Sequence, residues 1–181
     1  MSMRITTGQY KGRQLRMPKG IRPTQNKVRK ALFDILGDIQ GLSFLELFAG
    51  SGAVGFEAIS RGVSELTLVE YNRDCLLAIK KNIASLKPKA CSLYPLEAER
   101  AIAAFFKDKR TFDIIFLDPP YYNDLAKKAL QTLSAYDILA PNGLIVFQHF
   151  KKDNLPDTLG DLALFKQKAY GDTVLSFYRK H

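Results

Sequence analysis

The sequence has few of the residues from which disulfide frameworks and metal sites are built. Its 181 residues include no tryptophan, two histidines and two cysteines. Cys75 and Cys91 form no CxxC pair, and His149 and His181 have no metal-ligating partner in sequence. We therefore expect two ordinary buried or half-buried thiols and no metal ion. This cysteine usage fits a reducing cytoplasm, where disulfides are rare.

Long apolar segments are also missing. Hydrophobic residues make up 46% of the chain, but no apolar run approaches the ~20 residues of a membrane span. The first residues lead into a polar segment rather than into the apolar core of a signal peptide, and no linker rich in Pro, Gly or Ser divides the chain. We expect a cytoplasmic protein with one core, no membrane partner and a monomeric state.

Acidic residues are absent before Asp34. Nine basic residues occupy that segment, and the rest of the chain balances 18 basic against 18 acidic residues, so the segment carries the whole net charge of +9. A concentrated cationic segment attracts a polyphosphate such as RNA through counterion release, whereas a solvated basic tail is the alternative. We expect residues 1–23 to form a mobile basic hairpin that grips RNA, and residues 24–181 to form the main domain. The expected RNA contacts are Lys11, Arg13, Arg16, Arg22 and Arg29.

Apolar periodicity alternates between strand and helix along the main domain. Predicted strands cover residues 44–48, 65–70, 90–94, 112–117, 144–148, 163–170 and 173–179. A first helix is introduced by Pro23-Thr24 and ends near Gly37. The later predicted helices cover residues 53–61, 73–86, 98–107 and 124–134. Such alternation gives a mainly parallel sheet with helices on both faces. Gly171-Asp172 joins the last two strands tightly, so we expect them to form an antiparallel edge pair. The predicted fold is a Rossmann-like α/β domain with a seven-stranded sheet, plus the N-terminal hairpin.

A glycine-rich turn follows the first long strand. Gly50, Gly52 and Gly55 have the G-x-G-x-x-G spacing of a nucleotide-binding βα unit, which by itself admits a nicotinamide or flavin cofactor. Glu46, inside the preceding apolar strand, would repel a pyrophosphate and attract a cation. This favours S-adenosylmethionine, which carries an ammonium group and a sulfonium but no phosphate. Glu70 ends the next strand, where an acidic group can accept ribose hydroxyls; a solvated strand end is the alternative.

The tetrapeptide Asp118-Pro119-Pro120-Tyr121 directly follows four apolar residues. Two successive prolines fix φ and remove two N–H donors, which leaves their carbonyls pointing outward. A carboxylate and a fixed carbonyl can hold the N–H bonds of an exocyclic amine, and a tyrosine ring offers a flat face for a base taken out of its stack. The pattern indicates methyl transfer to a nucleobase amine, and a strand that ends in a Pro-Pro turn is the alternative.

Taken together, these segments resemble the class I S-adenosylmethionine-dependent methyltransferases, and more narrowly the RsmD family of bacterial 16S ribosomal RNA guanine-N2 methyltransferases. The closer resemblance rests on Lys11-Gly12-Arg13, Arg22-Pro23-Thr24, residues 28–33 and 47–52, Ser60-Arg61-Gly62, residues 116–121 and Tyr170-Gly171-Asp172-Thr173. Two positions depart from the family pattern: Glu46 stands where many members have aspartate, and Gln148 stands in place of a glutamate.

The resemblance implies S-adenosylmethionine as cofactor and, as substrate, 16S ribosomal RNA or an assembly intermediate of the small ribosomal subunit. The implied cofactor-binding residues are Glu46, Phe48, Ala49, Gly50, Gly52, Glu70, Tyr71, Glu97 and Ala98, and the implied catalytic residues are Asp118, Pro119, Pro120 and Tyr121. Glu97 could equally be an acid favoured at a helix N-terminus. Two other functions stay open, namely N6-adenine methylation of DNA or RNA and a noncatalytic RNA-binding role.

Overall fold

A computed structural model describes residues 3–20, 24–120 and 125–181. The strands are β1 (Met3–Arg4), β2 (Gln14–Leu15), β3 (Ser43–Leu47), β4 (Glu65–Val69), β5 (Cys91–Tyr94), β6 (Phe112–Leu117), β7 (Leu139–Phe150), β8 (Thr158–Leu159), β9 (Leu162–Tyr170) and β10 (Thr173–Lys180). The helices are α1 (Asn26–Leu36), α2 (Ala53–Ser60), α3 (Arg73–Leu86), α4 (Ala98–Lys107) and α5 (Leu125–Ala135). All five predicted helices are confirmed to within a residue or two at the described ends.

The main sheet has the strand order β5-β4-β3-β6-β7-β10-β9-β8. The first five strands in this order, β5, β4, β3, β6 and β7, pair in parallel with their neighbours. Strand β10 pairs antiparallel with both β7 and β9. The tight turn at Gly171, where φ is 64°, places Thr173 opposite Tyr170. The predicted α/β architecture with an antiparallel edge is therefore confirmed. Within the described residues the sheet has eight strands rather than seven, because the two-residue β8 adds to the edge.

Two apolar layers cover the two faces of the sheet. Alternate side chains of β3 point to opposite faces, so Phe44 packs with α1, α2 and α3, while Leu45 packs with α4 and α5. Burying one such side chain stabilises the fold by about 1.5–3 kcal/mol. These layers fix the sheet between the helices and leave the carboxyl ends of its parallel strands as one edge.

Strand β7 is longer than predicted. The sequence Pro141-Asn142-Gly143 suggests a turn, and the predicted strand therefore begins only after it. In the structure Phe112 pairs with Leu139 and Ile114 pairs with Leu144, so the intervening residues of β7 form an irregularity within one strand. The strand therefore starts before the turn signal and continues beyond it.

The N-terminal hairpin is docked on the main domain. Its buried residues Met3, Ile5 and Leu15 belong to the same apolar layer as α1 and α2. Gly8 has φ 82°, and a Cβ at this position would overlap the carbonyl oxygen of Ser60. Gln9 N donates to that same oxygen at 2.8 Å. The predicted hairpin is present, but it is fastened to the end of α2 through backbone contacts rather than extending freely.

A buried ionic cluster completes this docking. Glu57 on α2 accepts hydrogen bonds from Thr6 N at 2.8 Å and Thr6 Oγ1 at 2.7 Å, and it lies against Arg61 at 3.2 Å and Arg29 at 3.8 Å. Arg29 is 1% exposed, and its Nη2 donates to Arg4 O at 2.7 Å. Arg29, a predicted RNA contact, is therefore enclosed by the protein, and its guanidinium faces Glu57.

Both cysteines are free thiols, with Cys75 buried and Cys91 half-buried, as the sequence predicts. Burial raises the pKa of both thiols to about 12, so neither forms a reactive thiolate near neutral pH. Across the described ranges, no helix is long and apolar enough to cross a membrane.

Candidate active site

Three carboxylates meet at the carboxyl edge of the parallel sheet. Glu46 on β3 lies between Leu68 of β4 and Phe116 of β6, and Glu70 and Asp118 directly follow these two neighbouring strands. Because ligands of doubly wound sheets bind beyond this edge, the three carboxylates lie where a cofactor and a substrate would meet. The structure thus brings together the acidic residues that the sequence motifs single out.

Glu46 is held against the start of α2. Its Oε2 accepts a hydrogen bond from Gly55 N at 2.8 Å, and a Cβ at position 55 would lie 2.7 Å from that oxygen. Glycine is therefore needed at position 55 for the carboxylate to approach the helix. Burial raises the pKa of Glu46 to about 8, with smaller contributions in the same direction from the charges of Asp118 and Glu70.

The glycine-rich loop has an unusual backbone. Phe48, Gly50 and Gly52 have φ values of 57°, 58° and 74°, and Gly52 N closes the turn by donating to Ala49 O at 2.7 Å. A positive φ is unfavourable for a phenylalanine and often marks a functional site. Open space surrounds the position where Gly50 would carry a Cβ, so a ligand can approach this backbone closely.

Glu70 ties the glycine-rich loop to the beginning of α3. Its Oε2 accepts from Gly50 N, and its Oε1 accepts from Tyr71 N and Asn72 N, each at 2.8 Å. A carboxylate offers about four acceptor positions, so Glu70 can accept a further hydrogen bond on Oε2. The predicted ribose carboxylate is therefore also a structural part of the loop.

A cleft of about 360 Å³ opens beside this loop. Its lining comprises Phe48, Tyr71, Glu97, Ala98, Glu99, Leu125 and Lys128, and the first four of these are predicted cofactor-binding residues. Tyr71 is 60% exposed, so its ring is available to a ligand. Glu97 precedes the first residue of α4 and makes no side-chain hydrogen bond that caps this helix, although it lies 3.7 Å from Arg100. The lining from α5 could not be identified from sequence, because it depends on how α5 packs beside α4.

Asp118 lies at the mouth of β6 and is half-buried. Its Oδ2 accepts hydrogen bonds from Gln148 Nε2 at 2.9 Å and from Thr24 Oγ1 at 3.1 Å. Burial raises the pKa of Asp118 to about 7, although both hydrogen bonds oppose the rise. Pro119 is buried and Pro120 is exposed. Of the other predicted site residues, Tyr121 and Arg22 lie outside the described residues.

The hairpin contacts α3 through the side chain of Arg13 and the backbone of Arg16. Lys11, Arg13 and Arg16 are exposed, and Arg13 Nη2 donates to Ser85 O at 2.7 Å. Buried Asn82 on α3 accepts from Arg16 N at 2.7 Å and donates to Arg16 O and to Ser51 O, each at 3.1 Å. One side chain therefore joins the hairpin to the glycine-rich loop. Sequence motifs gave no signal for this role of Asn82.

Comparisons with known proteins identify the family and the fold of the chain. The family model described as "Conserved hypothetical protein 95" matches residues 3–179. The chain is 37% identical to "Putative rRNA methyltransferase YlbH" of Bacillus subtilis, covering 98% of this chain and 99% of that protein. It is 34% identical to "Ribosomal RNA small subunit methyltransferase D" of Haemophilus influenzae, covering 98% and 93%. The solved structure of "Putative methyltransferase yhhF" from Escherichia coli superposes with a TM-score of 0.87 at 31% identity, over 100% of this chain and 99% of that chain. The fold is that of the class I methyltransferases, and the chain belongs to the RsmD family of methyltransferases.

Proposed function

We propose that the protein transfers a methyl group from S-adenosylmethionine to the N2 amine of a guanine in 16S ribosomal RNA, within an assembly particle of the small ribosomal subunit. The observation that carries this proposal is the placement of Glu46, Glu70 and Asp118 at one sheet edge beside an open cleft. Two relatives at 33–34% identity bear the name "Ribosomal RNA small subunit methyltransferase D", which supports the RNA substrate.

The residues at the sheet edge fit a cationic cofactor. Among the residues that the structure describes, none of the three carboxylates forms an ion pair, and a positively charged ligand would favour their ionised forms. S-adenosylmethionine, when bound, supplies an electrophilic methyl group on a sulfonium. Glu46 would attract the cofactor's positive charge, Glu70 would accept a ribose hydroxyl on Oε2, and the cleft between Phe48 and Tyr71 would take the adenine.

Asp118 and Pro119 would act on the target amine. The carboxylate of Asp118 and the carbonyl of Pro119 would accept the two N–H bonds and favour a more pyramidal nitrogen with an available lone pair. Tyr121 would stack against the flipped guanine. Most of the rate enhancement would come from holding the amine and methyl donor in line. The amine gains positive charge during transfer, so it can release its proton afterwards without a dedicated base.

We also propose that residues 1–23 serve as the RNA-gripping extension of a catalytic domain formed by residues 24–181. The exposed side chains of Lys11, Arg13 and Arg16 provide phosphate contacts that do not depend on sequence. Shape recognition of a folded particle would then supply the specificity. Adenine N6 methylation uses the same amine chemistry and is the second candidate function.

A nucleoside assay tests this proposal. The protein is incubated with labelled S-adenosylmethionine and with small ribosomal subunits, naked ribosomal RNA or DNA, and the modified nucleoside is identified by mass spectrometry. We expect N2-methylguanosine in ribosomal RNA. N6-methyladenine as the product would favour the second candidate, and a protein that neither binds the cofactor nor modifies any substrate would be a noncatalytic RNA-binding module.

A further inference from the structure

Gln148 carries a buried acceptor that has no donor among the residues the structure describes. It lies on β7 with 4% of its surface exposed, and in the part of the chain that the structure describes its Oε1 has no hydrogen-bond partner. Buried side-chain oxygens are usually paired, and leaving one without a donor is costly. An unpaired oxygen beside the carboxylate of the proposed active site therefore indicates a donor that arrives with the substrate.

The orientation of the Gln148 amide follows from its neighbour. Leu117 pairs with Phe147 in the parallel β6–β7 ladder, which brings the next residues, Asp118 and Gln148, side by side. The amide nitrogen Nε2 donates to Asp118 Oδ2 at 2.9 Å. Because an ionised carboxylate only accepts hydrogen bonds, the amide turns its nitrogen towards ionised Asp118, and its oxygen is left to face another group.

Asp118 and the enclosed Oε1 of Gln148 would therefore offer two neighbouring acceptors to a base that enters beside them. On the Watson–Crick edge of guanine, the N2 amine lies next to the ring N1–H, so two adjacent groups are donors. On adenine, the N6 amine lies next to ring N1, which is an acceptor. An acceptor pair therefore matches guanine, whereas adenine would place a lone pair against the unsatisfied oxygen of Gln148.

On the basis of the proposed function, we infer that Gln148 Oε1 accepts the N1–H of the target guanine while Asp118 accepts the N2 amine, so that Gln148 selects guanine over adenine. Gln148 is thus a specificity-determining residue that also positions Asp118. A site built to bond a particular N–H strongly rejects an analogue that lacks it, because its own polar group then stays unpaired.

Base substitution in the RNA tests the hydrogen bond directly. Once the wild-type protein has shown which guanine it methylates, a synthetic RNA carries 2-aminopurine at that position. This base keeps the amine but has no N1–H. We expect single-turnover methylation by the wild-type protein to slow about 10- to 100-fold, a loss of the size that follows from one unsatisfied acceptor. An unchanged rate would overturn the inference while leaving the proposed function intact.

Variants of Gln148 separate its two roles. Gln148→Met removes both polar atoms, so we expect slower methylation of guanine but no additional slowing on 2-aminopurine, with unchanged cofactor affinity. Gln148→Glu keeps an acceptor oxygen for N1–H but removes the amide donor to Asp118, so we expect slower methylation of guanine together with further slowing on 2-aminopurine.

Gln167→Met is the matched control, because it also removes an amide whose Nε2 makes one hydrogen bond, to Ser176 Oγ at 2.9 Å, away from Asp118. We expect this variant to behave like the wild-type protein on both bases. If 2-aminopurine slows Gln148→Met as much as the wild-type protein, Oε1 is not the partner of N1–H. If the wild-type protein methylates adenine instead of guanine, both this inference and the proposed function fail.

Discussion

Glu46 is buried and forms no ion pair among the described residues, so its protonation is linked to folding. Burial raises the pKa of Glu46 to about 8 from an ordinary value of 4.5. The folded chain therefore binds this proton more tightly than the unfolded chain, and the free energy of unfolding should fall as pH rises from about 4.5 to about 8. Burial also raises the pKa of Asp118, to about 7. Between about pH 7 and 8, Glu46 should therefore contribute more than Asp118 to the fall in the free energy of unfolding.

We expect Glu46→Gln to flatten this decline. The amide keeps an oxygen for Gly55 N but has no proton to lose, so the variant should gain stability relative to the wild-type protein as pH rises. Urea unfolding at pH 5, 6, 7 and 8 measures the effect. Parallel pH profiles for the two proteins would show that Glu46 does not titrate in this range.

Asp118 is predicted to act on the amine rather than on the methyl donor. Asp118→Ala should lower the single-turnover rate by about 100- to 1000-fold, the size of losing one electrostatic group that stabilises a transition state, with little change in cofactor affinity. The wild-type rate should rise with pH up to about 7 and then level off, because Asp118 accepts an N–H of the amine best when its carboxyl is ionised. Asp113→Asn, at the opposite end of β6, is the control and should keep this profile.

Individual site residues could be predicted only where the chain itself carries the signal. Glu46 lies inside an apolar run, and Glu70 and Asp118 each directly follow one, so their convergence follows from parallel-sheet topology. The partners of Asp118 carry no such signal: Thr24 lies 94 residues away and Gln148 lies 30 residues away. Such contacts depend on tertiary packing, and no local pattern reports them.

At the scale of elements, periodicity predicted the helices well because each buries an apolar stripe. It failed at β7, where Pro141 and Gly143 signal a turn that the structure accommodates inside a strand, and at β8, whose two residues are too few to show alternation. The docking of the hairpin was also unpredictable, since the basic character of Arg29 gave no sign of its burial opposite Glu57.

The hairpin should depend on Glu57 for its attachment. We expect Glu57→Ala to lower the free energy of unfolding by about 3–5 kcal/mol, because it leaves the buried Arg29 without its counter-charge. Asp34→Ala is the matched control: it breaks the exposed pair with Lys30 at 2.7 Å and should cost less than about 1 kcal/mol. Urea denaturation compares the two, and equal small losses would mean that the buried cluster does not stabilise the docking.

For the molecule as a whole, the uneven distribution of charge places the proposed RNA-binding segment and the proposed catalytic carboxylates in different parts of the chain. The segment before Asp34 holds nine basic residues and no acidic one, whereas the three site carboxylates occupy the sheet edge. The charge asymmetry could be predicted from sequence. The contact between the basic hairpin and the glycine-rich loop could not be predicted, because it runs through Asn82, which contacts both Arg16 and Ser51.

We predict that replacing Lys11, Arg13 and Arg16 together with alanine will weaken RNA binding and preserve S-adenosylmethionine binding. If each side chain neutralises one phosphate, the slope of log affinity against log salt should flatten by roughly 0.7–0.9 per charge, or about 2–3 units for the triple variant. Replacing Lys89, Lys107 and Lys168, which are exposed and lie outside the hairpin, removes the same charge and is the control. Binding titrations at several salt concentrations distinguish the two surfaces, because only a contacting surface releases counterions. Equal slopes for the wild-type and hairpin-variant proteins would place the RNA on another face of the domain.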